Sequence, residues 1–485
     1  MRPLVIAQEL SLVIVLLGLL MIIVPLIDLA YRGYPSTWFT IMGFTYTALG
    51  LLVYKLNAKL SGIQEPGFLD SVVAYSLAWL VVPALAAIPL YLETGISYVN
   101  SLFESVSGFT GTGLTVMVNL EKMKKGVLFW RGLMQWVGEL GFVVFVAVLM
   151  PFFWRFSYVL YRLERPVRIF ASLRRTARRI FFVYTVITLT GIAICIYLGV
   201  EPLDAVVHVM TAIATGGMSN YDSNYGRVFE YAPLSIYPIT ALMILGGTSF
   251  TILSYLMSGE LKRALENEEF KAYLALCLVF FAFSSVLALQ IQSSPTTALV
   301  YGGFNALSAL TTTGFNIGDV GSFPPQLKLL FTAAMIIGSM GFSTAGGIKV
   351  ARLIIVLKKL KSQIFRVLTA EAITPSVKLG DEVLDEREVS GALLFVLLHL
   401  FFVFLGASLI KAVLPSRDFM DAVFEATSAV GCVGLSTGIT GPTAPLEVKV
   451  VLIVLMYLGK LEYLPLITAL GILALRRYKA VLPVK

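Results

Sequence analysis

Charge is scarce in this chain of 485 residues. Asp, Glu, Lys and Arg make up 14% of it, against 58% hydrophobic residues and a mean hydropathy of +0.85. A soluble chain of this length carries nearer a quarter charged residues. The composition therefore excludes a water-soluble domain of any size and describes a polytopic membrane protein. Cysteine is almost missing. Cys195, Cys277 and Cys432 are scattered without ligand spacing, which excludes a disulfide framework and leaves Cys195 and Cys277 as inert core. Two histidines, His208 and His399, lie far apart and form no zinc pattern. There is no HExxH, no Walker loop and no Ser-His-Asp set, so a membrane enzyme would lack its chemistry. A GxGxxG following a strand is also missing, so no nucleotide-binding domain is fused to the chain. No Pro/Ser-rich linker divides it, and it reads as one integrated domain.

What the chain does contain is a repeat. Residues 424–436 read Phe-Glu-Ala-Thr-Ser-Ala-Val-Gly-Cys-Val-Gly-Leu-Ser. Residues 103–115, Phe-Glu-Ser-Val-Ser-Gly-Phe-Thr-Gly-Thr-Gly-Leu-Thr, align with them without a gap. A third copy, 304–316, keeps Ser308 and Gly314 in register, and a weaker fourth, 207–219, has Thr211 in the serine slot and Gly217 in the glycine slot. Each copy is a short amphipathic helix followed by small residues ending in glycine. Four copies in one chain point to four units around one axis. Four such loops facing one another form a ring of carbonyl oxygens that can replace the water shell of a dehydrated cation. The expected ring residues are Gly111, Thr112 and Gly113; Thr215, Gly216 and Gly217; Thr312, Thr313 and Gly314; and Cys432, Val433 and Gly434. The blander alternative is four glycine-rich turns at a membrane surface.

Apolar runs near the ~20 residues needed to span a bilayer fall at 4–31, 37–56, 68–92, 127–153, 179–199, 233–257, 271–291, 328–357 (interrupted), 388–414 and 446–475. The run 4–31 is too long for a signal-peptide core and reads as a retained helix. The four short helices lie between later spans and enter and leave on one side. Non-helical backbone at that depth is tolerated where it lines a water path or is buried in protein. Arg155, Arg162, Arg165, Arg168, Arg174, Arg175, Arg178 and Arg179, then Lys358, Lys359, Lys361 and Arg366, then Arg476, Arg477 and Lys479, all fall on the other side. The positive-inside rule makes that side cytoplasmic, with both termini inside, although Lys122, Lys124 and Lys125 break it locally. Topology thus accounts for the net charge of +8, and no nucleic-acid partner is expected.

Two charged residues sit inside spans. Lys460, mid-way along the last, is a functional candidate by its depth alone. Glu462, two residues on, does not face it along a helix, so that pairing needs partners elsewhere. The second, Glu139, is left without a role. Glu104 and Glu425 share one slot of the repeat with His208 and Asn305, and a carboxylate there either concentrates cations or holds a neighbouring loop. The eighth run is broken by Gly338, Gly341, Gly346 and Gly347, with Ser339, Ser343 and Thr344 among them. Glycines this dense unwind a helix or allow close helix packing.

With the four loops, the segments 130–138 and 338–349 and Leu458-Gly459-Lys460-Leu461-Glu462, the whole chain resembles the Trk/Ktr/HKT potassium transporter superfamily, most closely its TrkH branch. The resemblance implies an all-α polytopic membrane protein: four helix–pore-loop–helix repeats around one pore, plus two extra N-terminal helices. The corresponding divisions are 1–60, 61–178, 179–264, 265–378 and 379–485. It implies potassium uptake across the cytoplasmic membrane, with potassium as substrate and no cofactor in this chain. The alternative within the same fold is a sodium- or proton-coupled symporter. In plant members a first-loop Ser goes with sodium and Gly with potassium, so Gly113 argues for potassium. The family places a gating loop where residues 338–347 lie and an Arg, obstructive to ions, where Lys460 stands. It also implies a homodimer and a separate cytosolic nucleotide-binding subunit of TrkA/KtrA type.

Overall fold

The structure is a computed structural model that describes residues 2–61, 68–141, 173–292, 294–369, 376–380 and 382–463. The apolar runs are helices, the one local structure that satisfies its own backbone in lipid. Six described helices are long and apolar enough to cross a membrane: Pro3–Ala30, Thr37–Leu60, Val73–Thr94, Arg175–Tyr197, Glu268–Ala288 and Glu386–Val413. The other four expected spans each differ for a physical reason or run out of the described residues. The run at 127–153 is the helix Lys125–Leu140, and the last is Leu446–Lys460. Their far ends lie outside the described residues, as do Arg155, Arg162, Arg165, Arg168, Arg476, Arg477 and Lys479.

The run at 233–257 is not one helix. It turns by 118° between Gly246 and Phe250. Ser249 starts the second piece, its hydroxyl accepting from the Ile252 N–H. The carbonyls freed at the turn find donors in the broken eighth run: Met340 N to Gly247 O at 3.1 Å and Thr344 N to Gly246 O at 3.3 Å. Two spans break side by side because each supplies what the other has lost. The eighth run is Pro325–Ile337, a loop, and Val350–Thr369. A two-residue antiparallel pair, Lys378–Leu379 with Glu382–Val383, departs from the all-helical expectation.

The leading helices Pro3–Met21 and Thr37–Ser61 cross at Gly18 and Gly43, where any side chain would strike the opposite backbone. Asp28 ties this pair to the body. Its carboxylate accepts from Gly126 N at 2.6 Å, Ser36 N at 3.0 Å and Ser36 Oγ at 2.5 Å. Phe39 then packs edge-on against buried Trp130, with 5.5 Å between ring centroids.

Candidate functional site

The four short helices are Tyr98–Phe109, Pro202–Ile213, Asn305–Leu310 and Phe419–Val430. The third is preceded by a wide π turn over Leu299–Phe304, where Gly302 lies against the backbone of Ser284. All four end identically. The cap residue is right-handed, and the next, Gly111, Thr215, Thr312 or Cys432, is left-handed at φ 67°, 48°, 54° and 50°. Its N–H donates to the carbonyl of Gly108, Ala212, Ala309 or Ala429. The following N–H donates at 2.8–2.9 Å to Ser107, Thr211, Ser308 or Ser428. This double bond pattern closes a helix, normally with glycine as the left-handed residue. Three copies lack glycine there and carry a conformational cost of roughly 1–2 kcal/mol each.

Two residues on, Gly113, Gly217, Gly314 and Gly434 are left-handed again. A methyl group on Gly113 would land on the carbonyl oxygen of Gly216; on Gly217, that of Thr313; on Gly314, that of Val433; on Gly434, that of Thr112. The sequence of contacts returns to its start. It is a closed cycle of four loops within one chain, each glycine making room for its neighbour's carbonyl, and it includes the weak copy at 207–219.

Behind this ring the slot shared by Glu104, His208, Asn305 and Glu425 is buried in all four copies. Glu104 accepts from Thr115 Oγ1 at 2.5 Å, Val116 N at 2.6 Å and Met117 N at 3.1 Å. Glu425 accepts from Ser436 Oγ, Thr437 N and Thr440 N. Asn305 holds Ile317, and His208 bonds Ser219 Oγ at 2.8 Å. Of the two readings of this slot, these contacts make it a clamp on each loop's return strand. Among the described residues no cluster of His, Cys, Asp or Glu is arranged to hold a metal.

The segment 130–138 supplies two further residues whose roles the sequence did not reveal. Arg131, 1% exposed, bonds Glu104 Oε2 at 3.3 Å, Ser219 O at 2.6 Å and Thr115 Oγ1 at 3.2 Å, joining the first loop to the second. Gln135 donates from Nε2 to Gly216 O at 2.6 Å and accepts at Oε1 from Met218 N at 3.0 Å.

On one side of the ring, Lys460 Nζ meets Glu139 Oε1 at 2.5 Å. Glu139 lies where a side chain of Gly111 would point. Glu462 is not the partner of Lys460; it pairs with Arg352 at 2.5 Å. The Lys460–Glu139 contact spans 321 residues of sequence. The repeat register could have found it, because Glu139 follows Gly138 as Lys460 follows Gly459. Both glycines sit against the last carbonyl of a short helix, Phe109 O and Val430 O respectively.

Residues 338–347 reach the same place. Their neck is closed by Ile348 N to Ile336 O and Lys349 N to Ile337 O, both 2.9 Å, and by the close approach of left-handed Gly338 and Gly347. Gly346 N donates to Thr312 Oγ1 at 2.7 Å, and its Cα faces Gly431 O. Thr344 Oγ1 is shared between Ile213 O at 3.0 Å and Gly246 O at 2.9 Å, and accepts from Thr215 Oγ1 at 3.2 Å. Gly341 N donates to Glu269 Oε1 at 2.6 Å. The break in the eighth run is therefore a folded loop against three of the four glycine loops, and not a helix-packing seam. A cavity of about 1060 Å³ opens beneath it, lined by the loop, Lys349, Glu139 and Lys460.

Four inward helix–loop units in one membrane-embedded chain, closing a ring of carbonyls, define a transporter class. The family described as "TrkH: Cation transport protein" matches residues 38–291 and 275–475, and the chain belongs to it. This is a family of transporters and not of enzymes. The chain is 30% identical to the Trk system potassium uptake protein TrkI of Halomonas elongata, over 82% of each chain. It is 29% identical to an uncharacterised cation transporter of Methanocaldococcus jannaschii, over 94% of this chain and 92% of that one. The crystal structure of the potassium transporter TrkH from Vibrio parahaemolyticus superposes with a TM-score of 0.84 at 25% identity, covering 97% of this chain and 99% of that one.

Proposed function

We propose that this chain conducts potassium ions into the cell across the cytoplasmic membrane, through the ring formed by its four glycine loops. The observation that carries the reading is the closed cycle of Thr112, Gly216, Thr313 and Val433 carbonyls against Gly434, Gly113, Gly217 and Gly314. Carbonyl rings of this kind coordinate a dehydrated monovalent cation. The names of the relatives, potassium uptake protein and potassium transporter, select potassium. The twelve residues of the four loops are the filter. Residues 338–347, with Gly338, Gly341, Gly346 and Gly347, and Lys460 form the gate beneath it. The bias of basic residues to one side supports a topology with both termini in the cytoplasm. From the resemblance, the working form is a homodimer in the lipid bilayer with a cytosolic nucleotide-binding subunit of TrkA/KtrA type.

The test is a cation series on the purified chain in liposomes. Rubidium and potassium should enter down their gradients, with sodium well behind. No flux of any of them, with folded protein, would sink the reading.

Gly113→Ser should lower the preference for potassium over sodium by roughly tenfold, a difference of about 1.4 kcal/mol between the two ions. At φ 82° a side chain is strained, and its Cβ falls on the Gly216 carbonyl, so one ring ligand must turn away. Bi-ionic reversal potentials report the ratio, and an unchanged ratio would remove Gly113 as a determinant of selectivity.

A further inference from the structure

In the span after each glycine loop, the helix before its break or end carries one position at the same offset from a glycine. It lies three residues before Gly138, Gly246, Gly338 and Gly459. The occupants are Gln135, Met243, Met335 and Met456. All four side chains are fully buried. Three copies thus place a methionine in this position, and one places an amide.

The exception coincides with a second one. The ring carbonyls belong to Thr112, Thr313 and Val433, all β-branched, and to Gly216, which has no side chain. A branched side chain restricts its own backbone, whereas glycine leaves the peptide free to rotate. A Cβ built on Gly216 would fall on the amide group of Gln135. Gln135 therefore fills the volume that a side chain of Gly216 would take. It also grips the loop at both ends, through Nε2 to Gly216 O at 2.6 Å and Oε1 to Met218 N at 3.0 Å. The amide can do both because it carries a donor and an acceptor.

We infer that Gln135 is a positioning residue for selectivity: it fixes the direction of the Gly216 carbonyl, the one ring ligand whose own residue cannot hold it. The inference rests on the proposed role of the ring as a cation filter. The same bond occupies part of that oxygen's accepting capacity, so the second loop presents a ligand unlike the other three. The ring is fourfold in its backbone and asymmetric in how it is supported.

The experiment uses the full chain in planar bilayers, with potassium against sodium in bi-ionic conditions. Gln135→Met installs the residue that the other three copies carry, so the site can accommodate it, and the potassium-to-sodium permeability ratio should fall by roughly three- to tenfold, the factor that losing one net hydrogen bond gives. Gln135→Glu keeps the shape and the bond from Met218 but cannot donate to Gly216, and should fall likewise. Gly216→Thr alone strikes Gln135 and should also lose preference. The double variant Gln135→Met with Gly216→Thr restores the pattern of the other copies and should recover most of the ratio, a coupling that two independent structural defects would not produce. A wild-type ratio in either folded Gln135 variant, or no recovery in the folded double variant, overturns the role of Gln135. A wild-type chain without potassium preference instead sinks the filter reading itself.

Discussion

Replacing Lys460 by Gln raises ion flux roughly tenfold, and replacing Glu139 by Gln lowers it by a similar factor. The two side chains form one ion pair at 2.5 Å beside the first glycine loop, 14% and 6% exposed and facing the cavity. An ammonium there is an obstacle to a cation, but in the folded chain its charge is balanced. Removing Lys460 leaves a carboxylate beneath the ring, which draws cations in. Removing Glu139 leaves an unpaired ammonium, which repels them. Two unit charges 6 Å apart interact by roughly 3 kcal/mol at an effective dielectric of ~20. Water in the cavity screens part of this, so a change nearer tenfold, about 1.4 kcal/mol, is expected in each direction. The double variant carries no net charge at the site, as the wild type does not, and should return towards wild-type flux. Lys460→Arg keeps the pair and should stay close to wild type. Because the pair borders water, breaking it should cost less stability than the ~3–5 kcal/mol of a fully buried pair. The check is liposome flux of all four variants. A folded Lys460→Gln chain with reduced flux, or a Glu139→Gln chain with raised flux, would show that the pair acts by holding structure and not by its field.

The same pair marks where sequence reading reached its limit. The four glycine loops were legible because their alignment is ungapped and their signal lies in the backbone: glycine at 113, 217, 314 and 434 is a direct record of where carbonyls crowd. Long apolar runs were legible for the same reason, since lipid leaves a helix no alternative. Contacts between copies left a fainter signal. Glu139 and Lys460 lie 321 residues apart. Only their shared offset from Gly138 and Gly459 in the repeat aligns them, since a charge by itself carries no mark of its partner. Periodicity also could not show the turn of 118° after Gly246. Gly246 and Gly247 alone suit a straight helix packed closely. The turn exists because residues 338–347 accept and donate across it, a tertiary contact that no local pattern records.

Deleting Ser343-Thr344-Ala345 should raise basal flux by an order of magnitude or more and blunt control by the proposed cytosolic subunit. In sequence, four glycines within residues 338–347 deprive the loop of helix. In structure, the deletion removes the Thr344 hydroxyl that joins Ile213 O, Gly246 O and Thr215 Oγ1. It spares the neck, where Ile336 and Ile337 carbonyls accept from Ile348 and Lys349. The shortened loop can still close at its base but no longer spans the space below the ring. In energetics, hydrogen bonds and burial of Met340 both hold the loop, and Phe342 packs edge-on against Phe250 at 5.9 Å between centroids. Each bond contributes about 0.5–1.5 kcal/mol net. The three at the Thr344 hydroxyl therefore contribute a few kcal/mol to the difference between two loop positions, a share of the size a binding partner can supply. The helix Val350–Thr369 follows directly, its Lys358 paired with Glu268 at 2.6 Å and Lys359 with Glu386 at 2.8 Å, and it is the element through which a pull would arrive. Thr344→Val tests the same contacts without shortening the chain and should raise flux by a smaller factor. Flux and partner binding are measured together on each protein. A deleted chain that folds, binds its partner and still shows wild-type flux would make residues 338–347 a packing element and leave the ring without a gate on this side.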